Sequence, residues 1–160
     1  TILTDVTGVQ TCALPILVFS LTGRNGPMMA LRPGEVPDAD RVVWQTHRGG
    51  PYIPSGVLYR NCLYVLTDAG VLGCYNPGNG QLLGQTRIRG PFTASLIAAA
   101  GRLYAVSERG TVYVLAAGET PEVLAEHPLG ERVLATPAIV EGDLVLRTER
   151  ALYCWKPASP

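Results

Sequence analysis

Apolar residues along this chain fall in short runs separated by clusters of glycine, proline and small polar residues, and the arrangement recurs about every forty residues. Laying Gly50 to Tyr75 over Gly90 to Leu115 matches Gly50 with Gly90, Pro51 with Pro91, Ser55 with Ser95, Leu63-Tyr64 with Leu103-Tyr104, and Gly70 with Gly110. A third copy follows one residue later, with Leu144 in the place of Leu103. The runs are strand-length and rich in Val, Leu and Tyr, which favours β-structure over helix. Within one unit the pattern predicts a first strand near Tyr52 to Tyr59, a second at Cys62 to Thr67, and a third at Val71 to Tyr75. Asp68-Ala69-Gly70 forms the hairpin turn between the last two. Asn76-Pro77-Gly78-Asn79-Gly80 is a second turn, and Gln81 to Ile88 is the fourth strand.

Leu63-Tyr64-Val65-Leu66 and Val112-Tyr113-Val114-Leu115 are nearly continuous apolar runs, expected where a sheet is covered on both faces. Gly70 and Gly110 sit where such turns need a positive φ. Units of this size, each burying its faces only against its neighbours, read as propeller blades, so the expected fold is all-β, a partial β-propeller of about three and a half four-stranded antiparallel blades. The expected divisions are 17–48, 49–89, 90–130 and 131–157. The first division supplies only the later strands of a blade, ending in Val42-Val43-Trp44-Gln45-Thr46, which aligns with Leu82-Leu83-Gly84-Gln85-Thr86. The last unit, Ala135 to Trp155, supplies three strands. Closing such a propeller calls for missing N-terminal blades and an outer strand for the last one.

The first sixteen residues stand apart. Val6 to Ile16, VTGVQTCALPI, resembles the translation of a sequencing-library adapter joined to the reading frame near Leu17, and 1–16 is set aside as an artefact. Cys12 to Leu21 is too short to span a membrane and contains Pro15, so no membrane span is expected. A signal peptide is not observable from this beginning.

The chain has 160 residues, 47% of them hydrophobic, and a formal net charge of zero. Neutrality argues against a nucleic-acid partner, because phosphate binding needs clustered positive charge. Of the four cysteines, Cys12 lies in the set-aside segment, and Cys74 and Cys154 hold the same repeat position two units apart. A bond between Cys62 and Cys74 is geometrically conceivable, while buried free thiols are the expectation. No C-x-x-C pair supports zinc or dithiol redox chemistry.

No H-E-x-x-H, G-x-S-x-G or phosphate-binding glycine loop occurs. His47 and His127 read as solvated or hydrogen-bonded side chains, and Trp44 as a wedge between blades. One constellation rises above this background: Thr67-Asp68, Ser107-Glu108 and Thr148-Glu149 place a hydroxyl and then a carboxylate at the same turn of each unit. In a propeller those turns share a rim with the links between blades. The expected interaction rim is Arg48, Tyr52, Asp68, Arg89, Phe92, Glu108, Arg109, Arg132, Glu149 and Arg150. Acids capping their own turns would account for it structurally; arginine with aromatics also suits a docking face for a protein or peptide.

The runs PYIPSGVLYRNCLYVLTDAGVLGCYNPGNGQLL, FTASLIAAAGRLYAVSERGTVYVL and ATPAIVEGDLVLRTERALYCW resemble the C-terminal half of bacterial PQQ-like β-propeller repeat proteins, the BamB-like superfamily, over about Met28 to Trp155. The resemblance implies a periplasmic or other extracytoplasmic location. Quinoprotein dehydrogenases of that superfamily carry a docking repeat, A-x-D-x-x-T-G-x-x-x-W. This chain has Cys74, Asn76, Asn79, Gly80 and Gly84 at those places, so the glycine alone is kept. Ala30 and Trp44 fit in the first unit, but Arg32 replaces the aspartate. Adjacent cysteines and a mappable calcium site are absent from the sequence, so no cofactor, PQQ included, is expected in this segment. The resemblance therefore implies a non-catalytic scaffold that binds a protein or peptide through one rim. The alternative is a degenerate PQQ-dependent oxidoreductase whose cofactor site lies in blades outside this segment.

Overall fold

The computed structural model describes residues 17–156; the adapter-like segment 1–16 lies outside the described residues. Short strands and tight turns build four antiparallel sheets in chain order. Sheet 1 is β1 (Val18–Leu21), β2 (Met28–Leu31) and β3 (Val42–Gln45); sheet 2 is β4 (Val57–Tyr59), β5 (Cys62–Leu66), β6 (Val71–Tyr75) and β7 (Leu82–Arg87). Sheet 3 is β8 (Ile97–Ala99), β9 (Arg102–Val106), β10 (Thr111–Ala116) and β11 (Glu122–Pro128). Sheet 4 is β12 (Ala138–Val140), β13 (Asp143–Arg147) and β14 (Leu152–Trp155). Each sheet is a meander in which consecutive strands pair, the all-β arrangement of propeller blades. Helix is confined, among the described residues, to the single turn α1 (Asp38–Arg41), too short to cross a membrane.

The continuous apolar runs become the middle strands. All five residues of β5 are buried because its two faces meet different neighbours. Cys62, Tyr64 and Leu66 point to sheet 3 and join Leu72, Cys74, Leu103, Ala105, Tyr113 and Leu115 in one cluster. Leu63 and Val65 point the other way, to Met28, Ala30 and Trp44 of sheet 1. Alternation of side chains along a strand makes one run serve two cores.

Trp44 is the wedge anticipated from sequence. It is 8% exposed, donates its indole N–H to the Pro77 carbonyl at 2.7 Å, and lies against Gly80, where a Cβ would come within 2.5 Å of the ring. Cys62 and Cys74 are buried free thiols, and burial, reinforced by the hydrogen bond with Cys62, pushes the Cys74 thiol up to about 12. Cys154 differs: it is exposed, because it lies on the face of sheet 4 turned away from sheet 3, beside Asp143.

The first strand of the sheet 2 unit is shorter than expected. Residues 52–56 form a link, not a strand, and β4 begins at Val57. Pro51 and Pro54 lack the N–H that a ladder needs. The neighbouring amides bond elsewhere, Tyr52 N–H to Asp68 Oδ2 at 2.7 Å and Ser55 N–H to Ser95 Oγ at 2.9 Å.

Candidate functional site

The repeated hydroxyl of each turn acts locally. Thr67 Oγ1 accepts the Val71 N–H at 3.0 Å, Ser107 Oγ accepts the Thr111 N–H at 3.1 Å, and Thr148 Oγ1 accepts the Ala151 N–H at 2.9 Å. Gly70 and Gly110 then turn the chain with φ of +83° and +78°. A side chain at Gly110 would collide with the Glu131 carbonyl, so the turn also needs glycine for close approach to the following link.

The backbone binds these turns to the links between sheets. Phe92 N–H donates to Asp68 O at 3.0 Å, Glu108 N–H to Pro91 O at 2.9 Å, Val133 N–H to Glu108 O at 3.2 Å, and Glu149 N–H to Arg132 O at 3.0 Å. Turns and links therefore form one continuous rim. The carboxylates strengthen it from within: Asp68 holds the Tyr52 amide, and Glu108 accepts the Thr93 hydroxyl.

Sheet 4 departs from the pattern. Glu149 makes no side-chain hydrogen bond among the described residues, and Glu131, from the preceding link, takes its place. Glu131 Oε2 accepts the Thr148 hydroxyl at 2.8 Å and the Arg150 N–H at 3.2 Å, while Oε1 accepts the Tyr153 hydroxyl at 2.6 Å. The Tyr153 and Thr148 hydrogen bonds hold the Glu131 carboxyl below the usual carboxylate range, and the same bond raises the Tyr153 phenol.

Of the residues expected at the rim, Arg48, Tyr52, Arg89, Arg109, Arg132, Glu149 and Arg150 are exposed, and Asp68 and Glu108 are half-buried. Phe92 is 1% exposed and packs its ring against Tyr113 at a centroid distance of 6.1 Å. It belongs to the core and is corrected out of the rim, because its link dips between sheets 2 and 3 at that point. Two residues were missed. Glu131 gave no signal because it precedes the arginine of its link and lies outside the hydroxyl–acid repeat. Arg24 lies in the β1–β2 turn, Thr22-Gly23-Arg24-Asn25-Gly26, which opens on a hydroxyl and closes on glycine like those of sheets 2 and 3 but is one residue longer and has no acid after the hydroxyl. Its guanidinium stands over the Tyr52 ring, 5.0 Å from the centroid, on a tyrosine that is 57% exposed.

Among the described residues no group of three or more His, Cys, Asp and Glu is placed to hold a metal ion. The positions that match the quinoprotein docking repeat are used in turns: Asn76 Oδ1 accepts the Gly78 N–H and Asn79 Oδ1 the Gln81 N–H.

No known family profile and no curated relative matches the chain. Among solved structures it is similar to BamB from Moraxella catarrhalis, with a TM-score of 0.69 and 16% identity over 88% of this chain and 46% of that one. It is also similar to the computationally designed Ika4 protein, with a TM-score of 0.69 and 14% identity over 88% of this chain and 84% of that one. The chain thus spans less than half of the BamB structure it matches. What the likeness shows is the fold, a succession of β-propeller blades.

Proposed function

We propose that this chain is part of an extracytoplasmic β-propeller scaffold, with blades at 17–48, 49–89, 90–130 and 131–157, that binds a protein or peptide through its turn-bearing rim. The observation that carries this reading is the asymmetry between the rim's charges. Three of its four carboxylates, those of Asp68, Glu108 and Glu131, accept hydrogen bonds from amides and hydroxyls of the rim itself. The rim arginines, Arg24, Arg48, Arg89, Arg109, Arg132 and Arg150, are exposed, and none is in an ion pair among the described residues. Exposed guanidinium groups beside an exposed tyrosine suit an acidic partner, since arginine and tyrosine are favoured at binding hot spots and pair well with carboxylates.

Selection of displayed peptides on the immobilised chain tests the proposal. Enriched sequences rich in Asp and Glu, whose binding is lost in the double variant Arg109→Glu, Arg132→Glu, are the expected result. Selected peptides that ignore both that variant and Tyr52→Ala would reject the rim as the binding face.

A further inference from the structure

The junction between sheets 3 and 4 is closed at one end and open at the other. Near the rim Ala94, Val106, Val112, Val133 and Leu146 pack together. Away from the rim the two sheets part around a cavity of about 570 Å³, within the range of small-molecule sites. Its walls are apolar: Tyr104 and Val114 on sheet 3 face Ile139 and Leu144 on sheet 4. The mouth is different in character. Arg102 opens β9 just after the Ala100-Gly101 turn, and Lys156 follows Trp155, which pairs with Leu144 beside the Glu141-Gly142 turn. Strand order thus brings both cations to the end of the cleft opposite the rim. Neither is in an ion pair among the described residues.

We infer that this cleft binds an amphiphilic carboxylate, its anionic head between Arg102 and Lys156 and its apolar chain between sheets 3 and 4. Charge complementarity selects the ligand. The charged or titratable groups lining the cleft are Arg102, Lys156, His127 and the Tyr104 phenol, with no carboxylate among the described lining residues. Glu122 and Glu141 stand at the same end but outside the lining, and Asp143 faces the other side of its sheet, toward Cys154. A guanidinium and an ammonium at the edge of an apolar slot favour a carboxylate over a neutral or cationic head of equal chain length. The distance from Arg102 to the packed end at Val106 is about 13 Å at the rise of an extended strand, which suits a chain of medium length.

Calorimetric titration of the whole chain with sodium decanoate, decan-1-ol and decyltrimethylammonium tests the inference. Decanoate is expected to saturate at one per chain and to bind more tightly than the other two. Arg102→Ala with Lys156→Ala, both exposed positions, is expected to weaken decanoate by about tenfold or more and leave decanol unchanged. Ile139→Trp, which fills the slot from a 38% exposed position, is expected to abolish decanoate binding. Absence of saturable binding overturns the site, as does equal affinity for the three amphiphiles. Decanoate affinity unchanged in the Arg102→Ala, Lys156→Ala variant, or decanoate binding retained in Ile139→Trp, with the circular dichroism spectrum unaltered, overturns it equally.

Discussion

The junctions on the two sides of sheet 3 are built from similar residues and end differently. Toward sheet 2, β9 and β10 present Leu103, Ala105, Tyr113 and Leu115, which meet Cys62, Tyr64, Leu66, Leu72 and Cys74 over the length of the strands. Toward sheet 4, the same two strands present Arg102, Tyr104, Val112 and Val114, and the buried cluster shared with sheet 4 lies near the rim, with the cleft beyond it. The first junction carries two further ties at the end away from the rim, where the Gly101 N–H donates to Tyr59 Oη at 2.8 Å and the Tyr64 hydroxyl donates to the Gly118 carbonyl at 3.2 Å. The second is latched at the rim, by Glu131 on Thr148 and Tyr153. Apolar composition makes a face able to pack. Whether it packs depends on what fixes the sheets at both ends.

The largest expected effect follows from paired truncations. Leu103→Ala empties a fully buried site in the closed junction and is expected to cost about 2–5 kcal/mol, whereas Leu144→Ala, on the wall of the cleft, is expected to cost about 1 kcal/mol or less. Chemical denaturation of the two variants checks the contrast, and equal losses would break it.

A second pair concerns glycine. Gly110→Ala forces a Cβ onto the Glu131 carbonyl at a φ of +78° and is expected to cost at least about 1–3 kcal/mol. Gly142, at φ +91°, faces open space at the mouth of the cleft. Gly142→Ala therefore carries the conformational cost alone, and its melting temperature should fall less than that of the rim variant.

The smallest effect is a matter of sign. Glu131 has its folded pKa depressed by the hydrogen bonds from Tyr153 and Thr148. Such a group stabilises above its unfolded pKa, and that contribution is lost as pH falls through the lower folded value. Glu131→Gln should therefore melt slightly below the parent chain near neutral pH and together with it once the pH lies below the carboxylate range. Melting curves across that pH interval check the convergence; a difference that persists in acid would remove the carboxylate from the account.

These contrasts separate what was legible in the sequence from what was not. The β5–β6 hairpin, its glycine turn and the doubly covered middle strands follow from local patterning, since an apolar run bounded by Asp-Ala-Gly has few other solutions. The hydroxyls of Thr67, Ser107 and Thr148 were legible because each satisfies amides within its own turn. Phe92 was misplaced because a link residue next to arginine and proline gives no sign of its depth. Glu131 was invisible because its role depends on Tyr153, which lies on a strand that arrives later in the chain. The cleft was equally hidden. Tyr104 and Leu144 read as core residues just as Tyr64 and Leu72 do, and periodicity identifies a covered face without fixing the distance to its cover.

Native-state hydrogen exchange, followed strand by strand, tests most directly the claim that sheets 2 and 3 form one closed unit to which sheet 4 is fastened at the rim. Amides of β5, β6, β9 and β10 should exchange last and together, through global unfolding, while those of β12, β13 and β14 should exchange sooner through a separate opening. Protection of sheet 4 equal to that of sheets 2 and 3, with one common dependence on denaturant, would contradict it.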